Sequence, residues 1–169
     1  GGLRYGRSRA APGIAAQRPN GVASSAVRTT SHSSVAAHSA RLRRHIVNMT
    51  TAAGSGHPSS SLSAVEVVAS LFFGGLMRYD PHQPNDPQRD RFILSKGHAV
   101  PLLYAAMAEA GYFSVDELMT LRKLGSPLEG HPNMKRLAGI EASTGSLGQG
   151  LSLGVGQALG CRLDGLDSR

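Results

Sequence analysis

Ser55-Gly56-His57-Pro58 is the first of three short segments in which a histidine directly follows a glycine. Ser95-Lys96-Gly97-His98 and Glu129-Gly130-His131-Pro132 come later, and the glycine-rich segment Ser143-Thr144-Gly145-Ser146-Leu147-Gly148-Gln149-Gly150 follows them. Tight turns at glycine and proline can project imidazoles from loops into one cleft, where they hydrogen-bond hydroxyls or phosphates and move protons near neutral pH. The pattern therefore indicates a site for a sugar phosphate or a cofactor.

A structural explanation competes with this one at each histidine. A single histidine beside glycine is more often part of a turn or a satisfied surface group, and only the joint pattern favours function. Zinc ligation is also conceivable, but the three histidines lack the close i, i+4 pairing or cysteine partners of typical zinc sites, so we assign no metal ligands. The remaining histidines are expected to be solvated or on helix surfaces: His32, His38, His45 and His82.

Charge is distributed unevenly along the chain. The 18 Lys and Arg exceed the 11 Asp and Glu, giving a net charge of +7, but eight of the basic residues precede the first acidic residue, Glu66. The rest of the chain has no basic patch with interleaved aromatic residues, so we expect no nucleic-acid partner. No apolar stretch of about 18 residues is present, so we expect no membrane span. The single cysteine, Cys161, is expected to be buried in a reducing compartment.

The N-terminal segment, residues 1–34, is rich in Arg, Ser and Ala and contains no acidic residue. Such a composition predicts a disordered extension. It is also typical of an organelle transit peptide, so a plastid or mitochondrial location is the alternative to a cytoplasmic one. Residues 35–169 are numerous enough to form one domain with its own core.

Helical patterns dominate the first part of this domain. Apolar residues from Val35 to Met49 recur at helical spacing and Gly54 follows as a stop, which predicts a long first helix. Ser63-Ala64-Val65-Glu66 has the pattern of a capping box. The apolar run from Val65 to Met77 behind it predicts a buried helix.

The middle of the chain alternates between loops and short elements. The segment Tyr79 to Asp90 contains three prolines and is expected to be a loop, whereas Arg91 to Leu94 predicts a short strand leading to His98. A helix is expected from Ala99 to Ala110 with Gly111 as its stop. A second capping box, Ser114-Val115-Asp116-Glu117, predicts a helix that Gly125 closes.

The last predicted helix, Gly148 to Leu163, is unusual in its small residues. Ser146, Gly150, Gly154 and Ala158 are spaced by four and lie on one helix face. Interior glycines cost about 1 kcal/mol each relative to alanine. Tight packing against a neighbouring helix or subunit is the favoured compensation, and room for a cofactor is the other possibility.

The four quoted segments together resemble the N-terminal, diphosphate-binding region of transketolases, which use thiamine diphosphate to move two-carbon ketol units between sugar phosphates. The resemblance extends from about Arg41 to Arg169 and rests on Ser55–Ala64, Asp90–Ala99, Leu128–Pro132 and Ser143–Gly150. Ser59-Ser60 stands where many relatives have Gly-Gly. The implied fold class is α/β, a thiamine diphosphate-binding fold of which residues 35–169 are the N-terminal part only, so that this portion is predominantly helical.

The resemblance also implies roles for individual residues. His57, His98 and His131 would be catalytic, with His57 hydrogen-bonded to the reacting oxygen of the substrate. His98, Gly145, Ser146 and Leu147 would contact thiamine diphosphate. Family members anchor the diphosphate through a divalent cation, usually Mg²⁺, at a Gly-Asp-Gly segment. That segment does not occur in this sequence, so the ligands are expected elsewhere and the chain is expected to be inactive alone.

The implied function is that of a transketolase fragment or subunit acting in the pentose phosphate pathway. Its implied partners are sugar phosphate substrates and either a second copy of the chain or a C-terminal transketolase subunit. Two alternatives stay open. One is another ketol-transferring thiamine enzyme, such as a dihydroxyacetone or deoxyxylulose phosphate synthase, and the other is a non-catalytic partner-binding module.

Overall fold

A computed structural model describes residues 32–169, with side chains from residue 34 onward. The proposed extension, residues 1–34, lies almost entirely outside the described residues, as does any transit peptide within it. Five α-helices are described: α1 (His32–Ala53), α2 (Pro58–Leu62), α3 (Val65–Phe73), α4 (Val100–Ala110) and α5 (Gln149–Leu163). Two 3-10 helices cover Gly97–Ala99 and Val115–Thr120. The described part of the chain is therefore predominantly helical, as expected.

The core lies where α1 packs against α3 and α4. Leu42, Ile46 and Met49 form the buried stripe of α1, and each is completely inaccessible to solvent. Burying side chains of this size contributes about 1.5 to 3 kcal/mol each. Helix α4 is buried on every face from Val100 to Ala108, so it forms the centre around which the other elements pack.

The predicted ends of α1 and α4 are confirmed. Gly54 follows α1 with φ of 57° and Gly111 follows α4 with φ of 96°. Both are left-handed conformations that glycine adopts without the steric cost of a Cβ. Pro101 lies in the first turn of α4, where its missing N–H has no helical partner to lose.

The capping boxes had different outcomes. At Ser114 the box is confirmed, with reciprocal contacts to Glu117, although it opens a 3-10 helix that ends at Thr120. The box at Ser63 is wrong, because the residue that caps α3 is Ala64 and its side chain accepts no hydrogen bond. The Ser63 hydroxyl instead donates to the Ser60 carbonyl at 2.9 Å. Ser63 is the C-cap of α2, and its N–H donates to the Ser59 carbonyl at 3.1 Å, so it ends one helix instead of beginning the next.

The strand predicted at Arg91 to Leu94 is also wrong for the described structure. These residues have no regular secondary structure, and nothing between residues 32 and 169 pairs with them as a neighbouring strand. Their backbone is instead held by the Arg91 N–H, which donates to the Arg169 carbonyl at 2.8 Å. A strand needs a partner that local sequence does not specify. The loop predicted from Tyr79 to Asp90 is confirmed.

Helix α5 packs through the small residues that the sequence singled out. A Cβ on Gly150 would lie 2.6 Å from the Ser95 Cα, and one on Gly154 would lie 3.8 Å from the Ile93 side chain. Gly150 thus permits a close backbone approach, but the neighbour is the non-helical segment around Ser95. Packing of this face against a neighbouring helix is therefore wrong here, and packing against a subunit stays a prediction. The opposite faces of α5 expose Leu151, Val155 and Leu159.

Candidate functional site

The turn that carries His57 is built on the end of α1. The Ser55 N–H donates to the Thr50 carbonyl at 3.3 Å, which folds the chain back over the last helical turn. Gly56 follows with φ of 136°, and a Cβ there would lie 2.8 Å from the Thr50 methyl group. Glycine is therefore needed on both conformational and steric grounds. The turn leaves the His57 side chain exposed at the start of α2.

The turn that carries His98 packs directly on the glycine-rich segment. A Cβ on Gly97 would lie 2.8 Å from the carbonyl carbon of Thr144 and 2.9 Å from the Gly145 nitrogen. The buried Thr144 hydroxyl donates to the Leu94 carbonyl at 2.7 Å. These contacts join two segments that are about fifty residues apart in sequence.

The rings of His57 and His98 meet edge to face, with centroids 5.2 Å apart. The Nε2 atom of His98 is 3.1 Å from the Ser60 hydroxyl. The Lys96 ammonium donates to the Ser60 carbonyl and the Ser63 hydroxyl, each at 3.2 Å. Sequence reasoning assigned no site role to Ser60, although its position three residues after His57 at the start of a short helix was a usable signal.

The third histidine reaches the same region through the glycine-rich segment. A Cβ on Gly145 would lie 3.5 Å from the His131 ring, so the ring faces the Gly145 backbone across the space that a side chain would occupy. The buried Tyr104 hydroxyl donates to the His131 carbonyl at 3.2 Å. Burial raises the pKa of Tyr104, which keeps this hydroxyl protonated as a donor. The structure thus places the ring of His57 against His98 and brings His131 near enough for its charge to act on His98, while Gly145 links the His131 ring to the turn at Gly97.

We call the region formed by the turns of His57, His98 and His131 the cleft. The charges in this cleft favour a neutral His98. Desolvation lowers its pKa, and the positive potential of His57, Lys96 and His131 lowers it further. A neutral imidazole can accept one hydrogen bond and donate another, so it can relay a proton. Between residues 34 and 169, no carboxylate forms an ion pair with any of the three rings. The cleft therefore presents nitrogen donors and one ammonium, a set suited to phosphate and hydroxyl oxygens.

The glycine-rich segment itself presents backbone and one apolar side chain. Gly148 has φ of 91° at the start of α5, and Leu147 is 71% exposed. Ser146 is also exposed. Contacts of Gly145, Ser146 and Leu147 with a cofactor remain a prediction.

Residues 32–169 contain neither a metal-binding cluster nor a membrane-spanning helix. No group of three or more His, Cys, Asp or Glu in this range is arranged to hold a metal ion. None of the helices in the same range has both the length and the apolar character needed to cross a membrane.

Comparison with known proteins places the chain in a family. Residues 34–164 match the family described as transketolase, thiamine diphosphate binding domain. Human transketolase is 54% identical over 118 residues, which cover 70% of this chain and 19% of the human protein. A 6-deoxy-6-sulfo-D-fructose transketolase subunit, SqwG, from Clostridium sp. (strain MSTE9) is 52% identical over 113 residues, covering 67% of this chain and 41% of that subunit.

Solved structures agree with the sequence comparison. Transketolase from Leishmania mexicana superposes with a TM-score of 0.71 at 34% identity, covering 74% of this chain and 19% of that one. A Pichia stipitis transketolase in complex with sedoheptulose 7-phosphate gives a TM-score of 0.70 at 38% identity, covering 74% and 18%. This chain spans about a fifth of the length of human transketolase. It belongs to the transketolase family and forms the N-terminal, thiamine diphosphate-binding region of that fold.

Proposed function

We propose that this chain supplies the histidine-bearing side of a transketolase active site. The reaction transfers a two-carbon ketol unit from a ketose phosphate to an aldose phosphate with thiamine diphosphate as cofactor. The observation that carries the proposal is the convergence of His57 and His98, whose rings are 5.2 Å apart, with His131 against Gly145. The shared reaction of the family members supports it.

The residues present fit thiamine diphosphate. Gly145 leaves free the space beside the His131 ring that a side chain would fill, so a flat ring or a polar group can approach the backbone. Lys96 and His98 add nitrogen atoms suited to diphosphate oxygens. The exposed Leu147 side chain, at 71%, offers apolar surface for an aromatic ring. When bound, the cofactor supplies a carbon nucleophile that attacks the ketose carbonyl.

The chain's own residues bind, orient and move protons around that chemistry. His57 is exposed at the tip of its turn and hydrogen-bonds the reacting oxygen of the substrate. His98 is held neutral at neutral pH, and its contact with Ser60 fixes the orientation of its ring. His131 lines the same channel and contacts substrate hydroxyls. Imidazoles positioned in this way accelerate proton transfer by roughly 10² to 10⁴.

The proposed active site would also need a divalent cation and a partner chain. The described residues include no metal-binding group and the sequence has no Gly-Asp-Gly segment, so Mg²⁺ would be held by other residues, where it would offset the negative charge of the diphosphate. A second copy or a separate C-terminal subunit would cover the rest of the cofactor, and the split-subunit relative supports the latter arrangement. Sugar phosphates as substrates are supported by the Pichia stipitis complex.

The test is a reconstitution at full natural length, with a partner subunit where one exists. We expect ketol transfer between ketose and aldose phosphates that requires both thiamine diphosphate and Mg²⁺. A preference for a dihydroxyacetone- or deoxyxylulose phosphate-forming donor and acceptor pair would replace transketolase with a related synthase. Absence of thiamine diphosphate binding by calorimetry would contradict the proposal and favour a partner-binding module.

A further inference from the structure

We propose that Arg122 is a positioning residue that holds the His57 turn and the His131 turn at a fixed separation. The expected effect on turnover rests on the proposed function, whereas the structural link does not. Neither the histidine motifs nor the glycine-rich segment contains this residue.

The first contact joins Arg122 to the His57 turn. Its Nη1 atom donates to the Ser55 hydroxyl at 2.5 Å, across 67 residues of sequence. Ser55 lies two residues before His57 and is itself held by the end of α1. The guanidinium therefore contacts the rigid base of the turn, while the imidazole remains available.

The second contact joins Arg122 to the His131 turn. A Cβ on Gly130 would lie 3.0 Å from Nη2, 3.1 Å from Nε and 3.2 Å from Cζ of Arg122. The guanidinium plane thus lies against the Gly130 backbone, and a Cβ at this position would press on it. One planar group touches both turns, which a flexible ammonium could not do with the same geometry.

The backbone of Arg122 is itself held in place. Arg122 has φ of 58°, the single positive φ among the non-glycine residues from 32 to 169. This left-handed conformation costs an arginine on the order of 1 kcal/mol or more. The Arg122 N–H donates to the Leu128 carbonyl at 2.8 Å. Leu121 and Leu128 are buried at 1% and 0% exposure, so the loop is anchored on both sides of the strained residue.

The charge of Arg122 is not used in a structural ion pair. Between residues 34 and 169 no carboxylate lies within ion-pair distance of it, although Glu129 pairs with nearby Arg136 at 3.4 Å. Arg122 and His131 line the same open cavity of about 700 Å³. A strained backbone and an unpaired guanidinium beside two functional turns point to a role in the site, not in the core.

The experiment compares Arg122→Ala, Arg122→Lys and Ser55→Ala with Lys123→Ala in the polypeptide at its full natural length. Lys123 is the matched control, because it carries the same charge in the same cavity wall. Steady-state kinetics are measured with a phosphorylated and an unphosphorylated ketose donor. Amide hydrogen exchange is followed at Ser55–His57 and at Gly130–His131.

The link predicts that Arg122→Ala speeds amide exchange in both turns. It should also lower kcat about tenfold with little change in KM, because displacing catalytic groups by about 1 Å can lower the reaction rate by up to about 100-fold. Guanidinium ions at millimolar concentration should restore part of the lost kcat. Arg122→Lys should behave like Arg122→Ala, and adding Ser55→Ala to Arg122→Ala should cost nothing more. Lys123→Ala should match the wild type in both measurements.

Two results would overturn the inference. Unchanged exchange in both turns of Arg122→Ala would show that the residue does not join them. A rise in KM for the phosphorylated donor alone would make Arg122 a direct anion ligand instead. If the wild type lacks ketol transfer but Arg122→Ala still loosens both turns, the proposed function fails and the structural link stands.

Discussion

Two groups of histidines in this molecule have opposite surroundings. On the α1 side, the Glu109 carboxylate accepts hydrogen bonds from Arg41 Nε and His45 Nε2, each at 2.8 Å. His38 stacks on Phe73 with ring centroids 3.8 Å apart. In the cleft, the rings of His57 and His98 meet each other and His131 lies beside the Gly145 backbone, and no carboxylate among the described residues is paired with any of the three.

The difference separates histidines that stabilise the fold from histidines that are available for chemistry. The sequence predicts that His38 and His45 are solvated or on helix surfaces; both lie on α1, but each side chain is only 20% exposed, so the solvated alternative is wrong. Their nitrogens are occupied by Arg41 and Glu109. The cleft imidazoles retain free nitrogen atoms, so they can bind an incoming oxygen. A histidine's partners, more than its burial, therefore decide its role.

Removing a cleft histidine should give the largest effect. In the full-length protein, His57→Ala should lower kcat by about 10² to 10³, because proton transfer by a positioned imidazole contributes roughly this much. Cofactor affinity should change far less, since the contact strengthens in the transition state. Steady-state kinetics and calorimetric titration with thiamine diphosphate measure the two quantities. His82→Ala, in an exposed loop, is the control, and equal activity of both variants would refute the role of His57.

Removing the central carboxylate should act on stability. Glu109 is 12% exposed, and Glu109→Gln leaves Arg41 and His45 without their charged acceptor, so we expect a loss of about 2 to 3 kcal/mol. Urea unfolding measures it. Glu66→Gln is the matched control, because the Glu66 side chain is 64% exposed where it pairs with Arg43, and it should cost less than about 1 kcal/mol. If both variants lost the same unfolding free energy, the contacts of Glu109 with Arg41 and His45 would contribute no more than an exposed ion pair.

The cleft requires the backbone at Gly97 to lie close to the backbone at Thr144. In Gly97→Ala the new methyl group would lie 2.8 Å from the Thr144 backbone, so we expect a loss of about 1 to 3 kcal/mol. Gly156→Ala is the contrasting change, because nothing lies within 4 Å of a Cβ there. It should stabilise α5 by about 0.5 to 1 kcal/mol. Thermal melts of both variants test this, and a neutral Gly97→Ala would contradict the close approach.

The smallest effect should be a pH dependence arising from His38. Burial and the Arg41 charge lower its pKa from the ordinary value of 6.5, outweighing the opposite influence of Glu109. The unfolded chain therefore binds this proton more readily, and stability should fall as pH drops below about 6.5. Unfolding free energies at pH 7.5, 6.5 and 5.5 should show a shallower slope in His38→Gln than in the wild type. An identical slope would remove His38 from the pH response.

The Glu109 carboxylate contributes at lower pH. Burial alone would raise its pKa, but hydrogen bonds from Arg41 and His45 outweigh burial and hold the pKa below 4.5. Its stabilisation is present above the ordinary value and is lost as pH falls through the lowered one. Because the His38 contribution begins to be lost below its ordinary pKa of 6.5 and the Glu109 contribution only below 4.5, measurements between pH 7.5 and 5.5 report on His38 and not on Glu109.

Local sequence predicted the elements whose signals are themselves local. Helix α1 with its Gly54 stop, helix α4 with Pro101 and Gly111, and the Ser114 capping box depend on residues within a few positions of one another. The strand at Arg91 to Leu94 failed because pairing needs a partner strand that the local pattern does not specify. The Ser63 cap failed because Ser63 ends helix α2 and so does not begin α3.

The sequence by itself determined the family, through the resemblance of its four motifs to transketolases. It also determined the helical character and the three histidine turns, which follow from residue spacing and from glycine and proline geometry. Only the tertiary structure decided which side chains meet. It placed Ser60 on His98, Arg122 between two turns, and His38 with His45 around Glu109. Contacts across 38 to 67 residues are set by core packing of α1, α3 and α4, which no short window of sequence encodes.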